Sequence, residues 1–243
     1  MENSIYVGLS RQIALKNQMG IIANNVANMS TPGYRAQNMV FTEYIEDPRD
    51  NPTDPLSMVL DYGQFQTTQP GPISQTGASL DVALQGPGYI GVQTPDGTTM
   101  YTRAGNFQIN AGGQLVTGNG YPVSSAGGGI LTFPSNFTEI KIDDHGFINT
   151  DQGLVGQIMV TEFDDLQALE ATGNGLYKAP NGAGLPAQET LVKQGMLEGS
   201  NVTPVLEMTR MIDVLRAYQS TQQMLQNEHE RQRAMIRKLT EKG

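Results

Sequence analysis

The most regular pattern of apolar positions lies near the two ends of the chain. In the first segment these positions alternate in spacing between four and three residues, as the a and d positions of a helix seam do. They are Leu15, Met19, Ile22, Val26 and Met29, and Ile5, Leu9 and Ile13 continue a stripe upstream. The pattern predicts a long amphipathic helix. The Ser-Thr-Pro-Gly run at residues 30–33 ends it, because Pro32 disfavours helical geometry at Thr31 and Gly33 tolerates a positive φ.

The last segment carries a longer version of the same pattern. Its seam runs for more than four heptads through Met208, Met211, Leu215, Tyr218, Gln222, Leu225, His229, Gln232, Ile236 and Leu239. Thr203 and Pro204 are an N-cap residue and a first-turn proline, and Glu207 complements the helix dipole. Gln222, His229 and Gln232 interrupt the seam, so we expect this helix to be weak as an isolated dimer.

Between the helices the apolar pattern changes to short runs separated by turn dipeptides, which is typical of antiparallel hairpins. These runs occupy residues 80–84, 89–94, 99–102, 107–109, 114–117, 139–142, 147–148 and 157–163, with a short helical turn near 164–169. Residues 37–75 lack such a pattern and contain several Asp-Pro and Asn-Pro pairs, which indicates an extended segment with turns.

Composition follows the same division. Residues 37–203 hold 24 of the 28 glycines and 11 of the 13 prolines, and their 5 basic and 18 acidic residues give a net charge of -13 within a total of -9. A basic footprint for nucleic acid is therefore absent from the middle, and the net +2 of each end is too small to suggest one. The chain has no cysteine and two histidines, which is poor equipment for catalysis or metal binding.

Three local features could suggest chemistry, and each has a simpler explanation. Residues 86–91 match G-x-G-x-x-G, but a strand and a turn follow where a phosphate-binding helix should begin. Asp143, Asp144 and His145 are residue types common in β turns, and His229 is a polar seam position. Among the 18 acidic residues of the middle some pair must lie at a glycosidase spacing, so a β-rich protein that binds or hydrolyses cell wall is an alternative function.

These patterns together predict an α+β fold. The long N- and C-terminal helices pair as a coiled-coil-like helical domain from residues 1–36 and 200–243, an extended linker spans 37–78, and a central antiparallel β domain spans 79–199. Because a middle rich in Gly and polar residues offers little spare apolar surface, we expect the helices to pack on each other and on neighbouring chains. The predicted assembly surface consists of Leu15, Met19, Ile22, Asn24, Asn25, Val26, Asn28, Met29, Met208, Met211, Leu215, Tyr218, Leu225, Ile236 and Leu239.

Three stretches of the chain resemble the flagellar rod and hook family of axial proteins. Residues 22–35 (IANNVANMSTPGYR) are similar to the family's N-terminal signature. Residues 83–92, 101–107 and 114–123 resemble its β-domain motif, with Gly91 in place of the usual large residue. Residues 198–202 with 208–218 are similar to its C-terminal motif. Within the family, residues 1–11 and the short single β domain most resemble proximal-rod members. Distal-rod members are the alternative, and hook proteins carry larger middle domains.

The resemblance implies a structural subunit of the flagellar basal-body rod, with no catalytic activity and no cofactor or metal. It implies polymerisation through the terminal helices with copies of itself and with other proximal and distal rod subunits. It also implies export by the flagellar type III apparatus without a cleaved signal peptide, and a position in the rod where that structure crosses the periplasm. We expect no nucleic-acid partner, given the acidic middle of the chain. We also expect no direct membrane insertion, because no apolar run is long enough to span a bilayer.

Overall fold

The computed structural model describes residues 2–46, 56–180 and 184–240. The chain forms two compact units. Unit 1 contains residues 1–27, 37–67 and 203–243, and unit 2 contains residues 28–36 and 68–202. The chain therefore passes between the units after Ala27, Ala36, Thr67 and Val202. Among the described residues, no helix combines the length and the apolar character needed to cross a membrane.

Unit 1 is built from two helices and one long hairpin. Helix α1 spans Glu2–Ala27 and helix α2 spans Pro204–Thr240. The first-turn amide of Glu207 donates to the carbonyl of Thr203 at 3.1 Å, so α2 begins at the N-cap and proline that the sequence predicts. Strands β1 (Gln37–Glu46) and β2 (Leu56–Gln66) pair antiparallel, with a register shift between Val40 and Phe41.

These two strands lie in the segment 37–78, which the sequence predicts to be an extended linker. Both strands are extended, as expected, but they pair with each other over their whole length and α1 packs against them. The pairing satisfies the backbone groups of a segment whose side chains show no clear period. The predicted Asp-Pro and Asn-Pro turns at residues 47–55 lie outside the described residues.

Unit 2 is an assembly of short strands, all paired antiparallel. The first six are β3 (Ile73–Gln75), β4 (Val82–Gln85), β5 (Tyr89–Gln93), β6 (Thr99–Thr102), β7 (Phe107–Ile109) and β8 (Leu115–Thr117). The next four are β9 (Ile140–Ile142), β10 (Phe147–Thr150), β11 (Gly153–Gln157) and β12 (Val160–Glu162), after which a 3-10 turn covers Leu166–Ala168. The last five are β13 (Glu170–Gly173), β14 (Leu176–Lys178), β15 (Leu185–Pro186), β16 (Leu191–Gln194) and β17 (Met196–Glu198).

The largest sheet of unit 2 has the strand order β13-β14-β6-β5-β12-β15. A three-stranded sheet has the order β11-β10-β9, and β4, β3 and β7 pair with β16, β17 and β8 respectively. Strands from residues 73–85 thus pair with strands from residues 191–198, near the end of the unit. This return of the chain brings the two borders of unit 2 together.

The core of unit 2 is formed by inward-facing residues of these strands together with residues of the segments between them. Its buried members are Val82, Leu84, Ile90, Val92, Phe107, Leu115, Val123, Leu131, Phe133, Ile142, Ile148, Ile158, Leu176 and Val192. A second cluster contains Tyr89, Tyr101, Leu169 and Tyr177, with Phe163 packed edge-on against two of the rings. The expectation of a central antiparallel β region between two long helices is confirmed.

Candidate functional site

The predicted assembly surface on α2 divides between two faces of the helix. The inner face is buried or half-buried within the chain and consists of Glu207, Met211, Val214, Tyr218, Thr221, Leu225, Glu228 and Gln232. An outer stripe of apolar residues is exposed and consists of Val205, Met208, Ile212 and Leu215. Of the predicted residues, Met211, Tyr218 and Leu225 therefore lie on the inner face and Met208 and Leu215 on the outer stripe. Ile236 is also exposed, and the side chain of Leu239 lies outside the described set.

Helix α1 shows the same division into two faces. Gly8, Ala14, Ile21, Ile22 and Asn25 are buried, and Leu15, Met19 and Val26 are half-buried. Tyr6, Leu9 and Ile13 are spaced by three and four residues and are 46–60% exposed, so they form an outer stripe on α1. Among the predicted residues beyond these, Asn24 and Met29 are exposed and Asn28 is half-buried.

Two of the predicted asparagines, Asn25 and Asn28, form hydrogen bonds within their own chain. Asn25 is 1% exposed and its side chain bonds the backbone of Gln37 within its own chain. Asn28 follows the last helical residue, and its carbonyl and side-chain oxygens accept from the amide and hydroxyl of Thr31 at 3.1 and 3.2 Å. Asn28 thus supports the sharp exit of the chain from α1, and Asn25 serves the packing of unit 1.

The most highly charged buried feature of unit 2 is an ion network formed by Arg35, Arg103 and Glu198, here called the clasp. All three side chains are at most 3% exposed. The carboxylate of Glu198 lies 2.8 Å from Nη2 of Arg35 and 3.1 Å from Nη1 of Arg103. Arg35 also donates to the carbonyls of Thr68, at 3.1 Å, and Gln69. One carboxylate thereby joins residues that are far apart in the sequence.

The clasp is tied to the β core through Arg103. This guanidinium donates to the carbonyls of Leu84 and Gly86 and lies 5.0 Å from the ring centroid of Tyr89, a cation–π distance. Glu198 accepts a further hydrogen bond of 3.1 Å from the amide of Gly71. The segments that border unit 2 are therefore fixed to its core by charge-assisted hydrogen bonds.

Backbone contacts reinforce the clasp at the same place. The amide of Gly33 donates to the carbonyl of Glu198 at 2.8 Å. The side chain of Asn201 accepts from the amide of Ala36 at 2.7 Å and donates to the carbonyl of Gln69 at 2.8 Å. Gly33 has a φ of 68°, and a Cβ added there would lie 2.4 Å from the carbonyl carbon of Arg103. Only glycine fits this approach without a shift of backbone.

Burial shapes the titration of groups around the clasp. Desolvation lowers the pKa of Arg103, although the neighbouring Glu198 carboxylate acts in the opposite direction. Desolvation also raises the pKa of Tyr89, against the influence of the nearby guanidinium of Arg103, and raises the pKa of Tyr177. Because their pKa values are raised, both tyrosines are uncharged at neutral pH. The charged groups at this place are therefore the two guanidinium groups and the one carboxylate of the clasp.

Residues considered for chemistry have structural partners. The side chain of Asp143 accepts from the backbone amides of His145 and Phe147, at 3.0 and 2.9 Å, and so closes a turn. Asp144 forms an ion pair of 2.9 Å with Lys193. Of the glycine-rich residues 86–91, the first three connect β4 to β5 and the last three belong to β5. These contacts agree with the structural interpretation of both motifs.

Sequence reasoning did not identify the clasp, although its members lie in the three stretches that carry the family resemblance. Arg35 ends the first stretch, Arg103 lies in the second and Glu198 opens the third. The sequence did show one charged residue in each of these apolar, turn-rich stretches, which could have indicated that they form an ion network. Their convergence depends on the pairing of β17 with β3 and of β16 with β4, which periodicity does not reveal.

Comparison with known proteins gives three family matches along the chain. Residues 5–35 match the family described as flagella basal body rod protein. Residues 83–150 match the flagellar hook protein FlgE/F/G D1 domain, and residues 193–238 match the C-terminal region of flagellar basal body rod FlgEFG proteins. Each match contains one member of the clasp.

Several relatives are similar over nearly the whole chain. The flagellar basal-body rod protein FlgF of Caulobacter vibrioides is 37% identical over 242 residues, which are 98% of each chain. FlgF of Mesorhizobium japonicum is 34% identical over 91% of each chain. FlgG of Buchnera aphidicola subsp. Acyrthosiphon pisum is 33% identical over 89% of this chain and 92% of its own.

Proposed function

Because the chain belongs to the flagellar basal-body rod protein family, and is thus a structural rod subunit of the flagellum, we propose that it polymerises through the outer faces of its terminal helices. Membership of this family places the protein in the flagellar basal body, where it assembles with other rod and hook subunits, and means that it is not an enzyme. The cell-wall enzyme considered as an alternative is thereby set aside.

The observation that carries the proposal is the two-faced character of the helices. The inner face of α2 is occupied within the chain, yet Val205, Met208, Ile212 and Leu215 remain 41–76% exposed. An exposed apolar stripe of this kind favours a protein–protein contact. The outer stripe of α1 is a second such surface. Heterologous contacts between these two stripes on successive copies build a filament when the rotation from copy to copy does not close into a ring.

The finer parts of the proposal follow from this arrangement. The antiparallel α1–α2 pair acts as a coiled-coil-like assembly domain, and unit 2 acts as the β domain that it carries. Residues 1–11 and the short single β domain most resemble proximal-rod members, which favours a proximal rather than a distal position in the rod. The absence of cysteine is compatible with export of an unfolded chain by the flagellar type III apparatus.

Two adjacent residues of α2 provide the test. Leu215 is 41% exposed on the outer stripe, whereas Val214 is 8% exposed on the inner face. Leu215→Asp should leave the purified protein folded, because the carboxylate stays in water. In the assembled rod the same carboxylate must be buried, at a cost of about 2 kcal/mol or more for each subunit. We expect the variant to be missing from basal bodies isolated from a strain that lacks the wild-type gene.

Val214→Asp is the matched control. It should destabilise the α1–α2 pair of the purified protein, seen as a loss of helical circular dichroism at a lower temperature, because it places a charge within the chain's own packing. Normal amounts of Leu215→Asp in isolated basal bodies would show that the outer stripe is not the polymerisation surface.

A further inference from the structure

A buried polar contact lies at one end of the α1–α2 pair. Asn25 on α1 is 1% exposed and Glu207 on α2 is 4% exposed. Nδ2 of Asn25 donates to Oε2 of Glu207 at 3.1 Å. The other carboxylate oxygen of Glu207 accepts from Arg210 at 2.7 Å, one turn further along α2. This contact connects the two terminal helices directly.

The carboxamide of Asn25 is held in place from a second direction. Its Oδ1 accepts from the amide of Gln37, and its Nδ2 donates to the carbonyl of the same residue, both at 2.9 Å. Both ends of the amide are therefore hydrogen-bonded. An amide so fixed tolerates little displacement of the helix opposite it, since Glu207 must remain within reach of Nδ2.

A steric contact at the other end of the pair agrees with the same register. A Cβ added at Gly8 would lie 2.8 Å from Cδ2 of Leu225 and 3.0 Å from Cε of Met224. The 17 residues from Gly8 to Asn25 span about 26 Å of helix, and the 18 from Glu207 to Leu225 span about 27 Å. The two contacts thus describe one antiparallel register, in which Ala14 lies opposite Tyr218 by interpolation.

The positions between these ends discriminate poorly between registers. They include Ala14, Ile21 and Ile22 on α1 and Met211 and Val214 on α2. Such residues bury apolar surface without a directional requirement, and methionine adapts to different neighbours. A slip by one turn would keep most of this burial. It would, however, place Asn25 near Met211 and leave the buried carboxylate of Glu207 without its donor from α1.

We propose that the Asn25–Glu207 pair determines the register of the α1–α2 pair. This inference rests on the proposed function, because the register sets the relative height of the outer stripes on the two helices. Buried polar residues that fix register within an otherwise apolar helix seam are known from coiled coils. The pair would thus ensure that every copy presents the same outer surface to its neighbours.

Disulfide trapping in the full-length protein measures the register, since the natural chain has no cysteine. Ala14→Cys is combined in turn with Tyr218→Cys, which lies opposite, and with Val214→Cys or Thr221→Cys, which lie one turn away on the same inner face. With Asn25 and Glu207 unchanged, we expect positions 14 and 218 to cross-link at least about ten times faster than either slipped pair. A slipped register would leave a buried carboxylate without its hydrogen bond, and this loss of free energy corresponds to about that ratio of populations.

The polar pair is then replaced by Asn25→Leu with Glu207→Met, which keeps side-chain volume and apolar packing. We expect the helices to remain paired and the three cross-links to form at rates within about threefold of each other. Asn25→Asp supplies a second variant, because it places two carboxylates together and removes the donor. Asn24→Leu, an exposed neighbour with the same change, should retain the wild-type preference.

The inference fails if the three cross-links form equally in the wild-type background, or if the preference for 218 persists in both Asn25 variants. This result is independent of polymerisation, because it is measured on the purified, unassembled chain. Leu215→Asp should keep the wild-type cross-linking preference. If the register test fails but Leu215→Asp is excluded from rods, the outer-stripe proposal still holds. If Leu215→Asp enters rods but the cross-linking preference depends on Asn25, the register inference still holds.

Discussion

At the scale of single residues, Glu198 has an unusual position because one buried carboxylate serves two buried arginines and the amide of Gly71. The clasp as a whole carries one excess positive charge. Arginine suits such a place because its planar, delocalised guanidinium offers several donors and is only weakly hydrated. Part of the remaining cost of burial is offset by the carbonyls of Thr68, Gln69, Leu84 and Gly86, which accept from the two guanidinium groups. The Nε atoms of Arg35 and Arg103 are buried without a hydrogen-bond acceptor among the described residues.

Glu198→Gln should therefore destabilise unit 2 strongly. The amide keeps the shape of the side chain but leaves two buried guanidinium groups without a counter-charge, for which we expect a loss of about 3–5 kcal/mol. Urea unfolding followed by tyrosine fluorescence measures the change. Glu139→Gln is the control: Glu139 pairs with Lys141 at the surface, with a side chain 64% exposed, so its loss should be below about 1 kcal/mol. Equal stability of the two variants would contradict the role assigned to the clasp.

Glu162 is a second carboxylate that forms several hydrogen bonds within unit 2. Its Oε1 accepts from the hydroxyl and amide of Thr190, at 2.7 and 2.8 Å, and from the amide of Glu189 at 3.0 Å. Burial acts to raise the pKa of Glu162, but the hydrogen bonds from Thr190 and from the backbone of residues 188–190 outweigh it and hold the pKa below its usual range. The hydroxyl of Thr190 also accepts from the amide of Gly88 at 2.8 Å.

This pKa shift has a definite sign in the pH dependence of stability. The carboxyl binds protons less readily in the folded chain, so its contribution is complete above the unfolded pKa, near 4.3, and is lost as pH falls through the lower folded pKa. We expect wild-type protein to exceed Glu162→Gln in urea midpoint at pH 7 and the difference to shrink by about pH 3. Glu170→Gln, at an exposed position, should differ little at either pH. A difference that grows on acidification would refute this assignment.

At the scale of elements, the helices were predictable from sequence but the role of each face was not. The heptad seam read from α2 includes Met208 and Leu215, which the structure places on the outer stripe, one position from the inner residues Glu207 and Val214. Both faces carry apolar residues at helical spacing, so periodicity cannot say which one packs inside the chain. The burial of Glu207 shows which face of α2 packs inside the chain. The sequence did not indicate this, because a charged residue is not expected at a buried seam position.

The unequal lengths of the helices give an element-scale prediction. In the register described above, Glu2 lies near residue 231, so the end of α2 extends beyond α1, and the side chains at 233–238 are exposed. Deletion of residues 233–243 should therefore leave amide exchange at positions 14–25 of α1 unchanged. Deletion from residue 224 onward also removes Leu225 and should raise exchange there. Hydrogen exchange with mass spectrometry distinguishes the two, and faster exchange in the shorter deletion would show that the end of α2 packs on α1.

At the scale of the whole molecule, the order helix, antiparallel β region, helix was readable from sequence because each period extends over several turns or strands. Most strands between residues 82 and 162 fall within a residue or two of their predicted runs. The pairing of β1 with β2 was missed because their side chains show no clear alternation and the sequence between the two strands contains Asp-Pro and Asn-Pro pairs. The clasp was missed for a different reason, since only the tertiary pairing of distant strands brings Arg35, Arg103 and Glu198 together.

The division into units predicts how the molecule can be cut. A fragment of residues 28–202 retains the whole of unit 2, including the clasp and the β core, and we expect its β core to melt within a few degrees of the same transition in the full chain. A fragment of residues 76–202 keeps the core but lacks Arg35, the carbonyls of Thr68 and Gln69, and strand β3. It should be less stable by about 3 kcal/mol or more, because Glu198 then retains Arg103 alone. Thermal and urea unfolding of both fragments provide the comparison. If the longer fragment fails to fold, the terminal helices belong to the core of unit 2; if the shorter one is equally stable, the clasp does not hold the borders of the unit together.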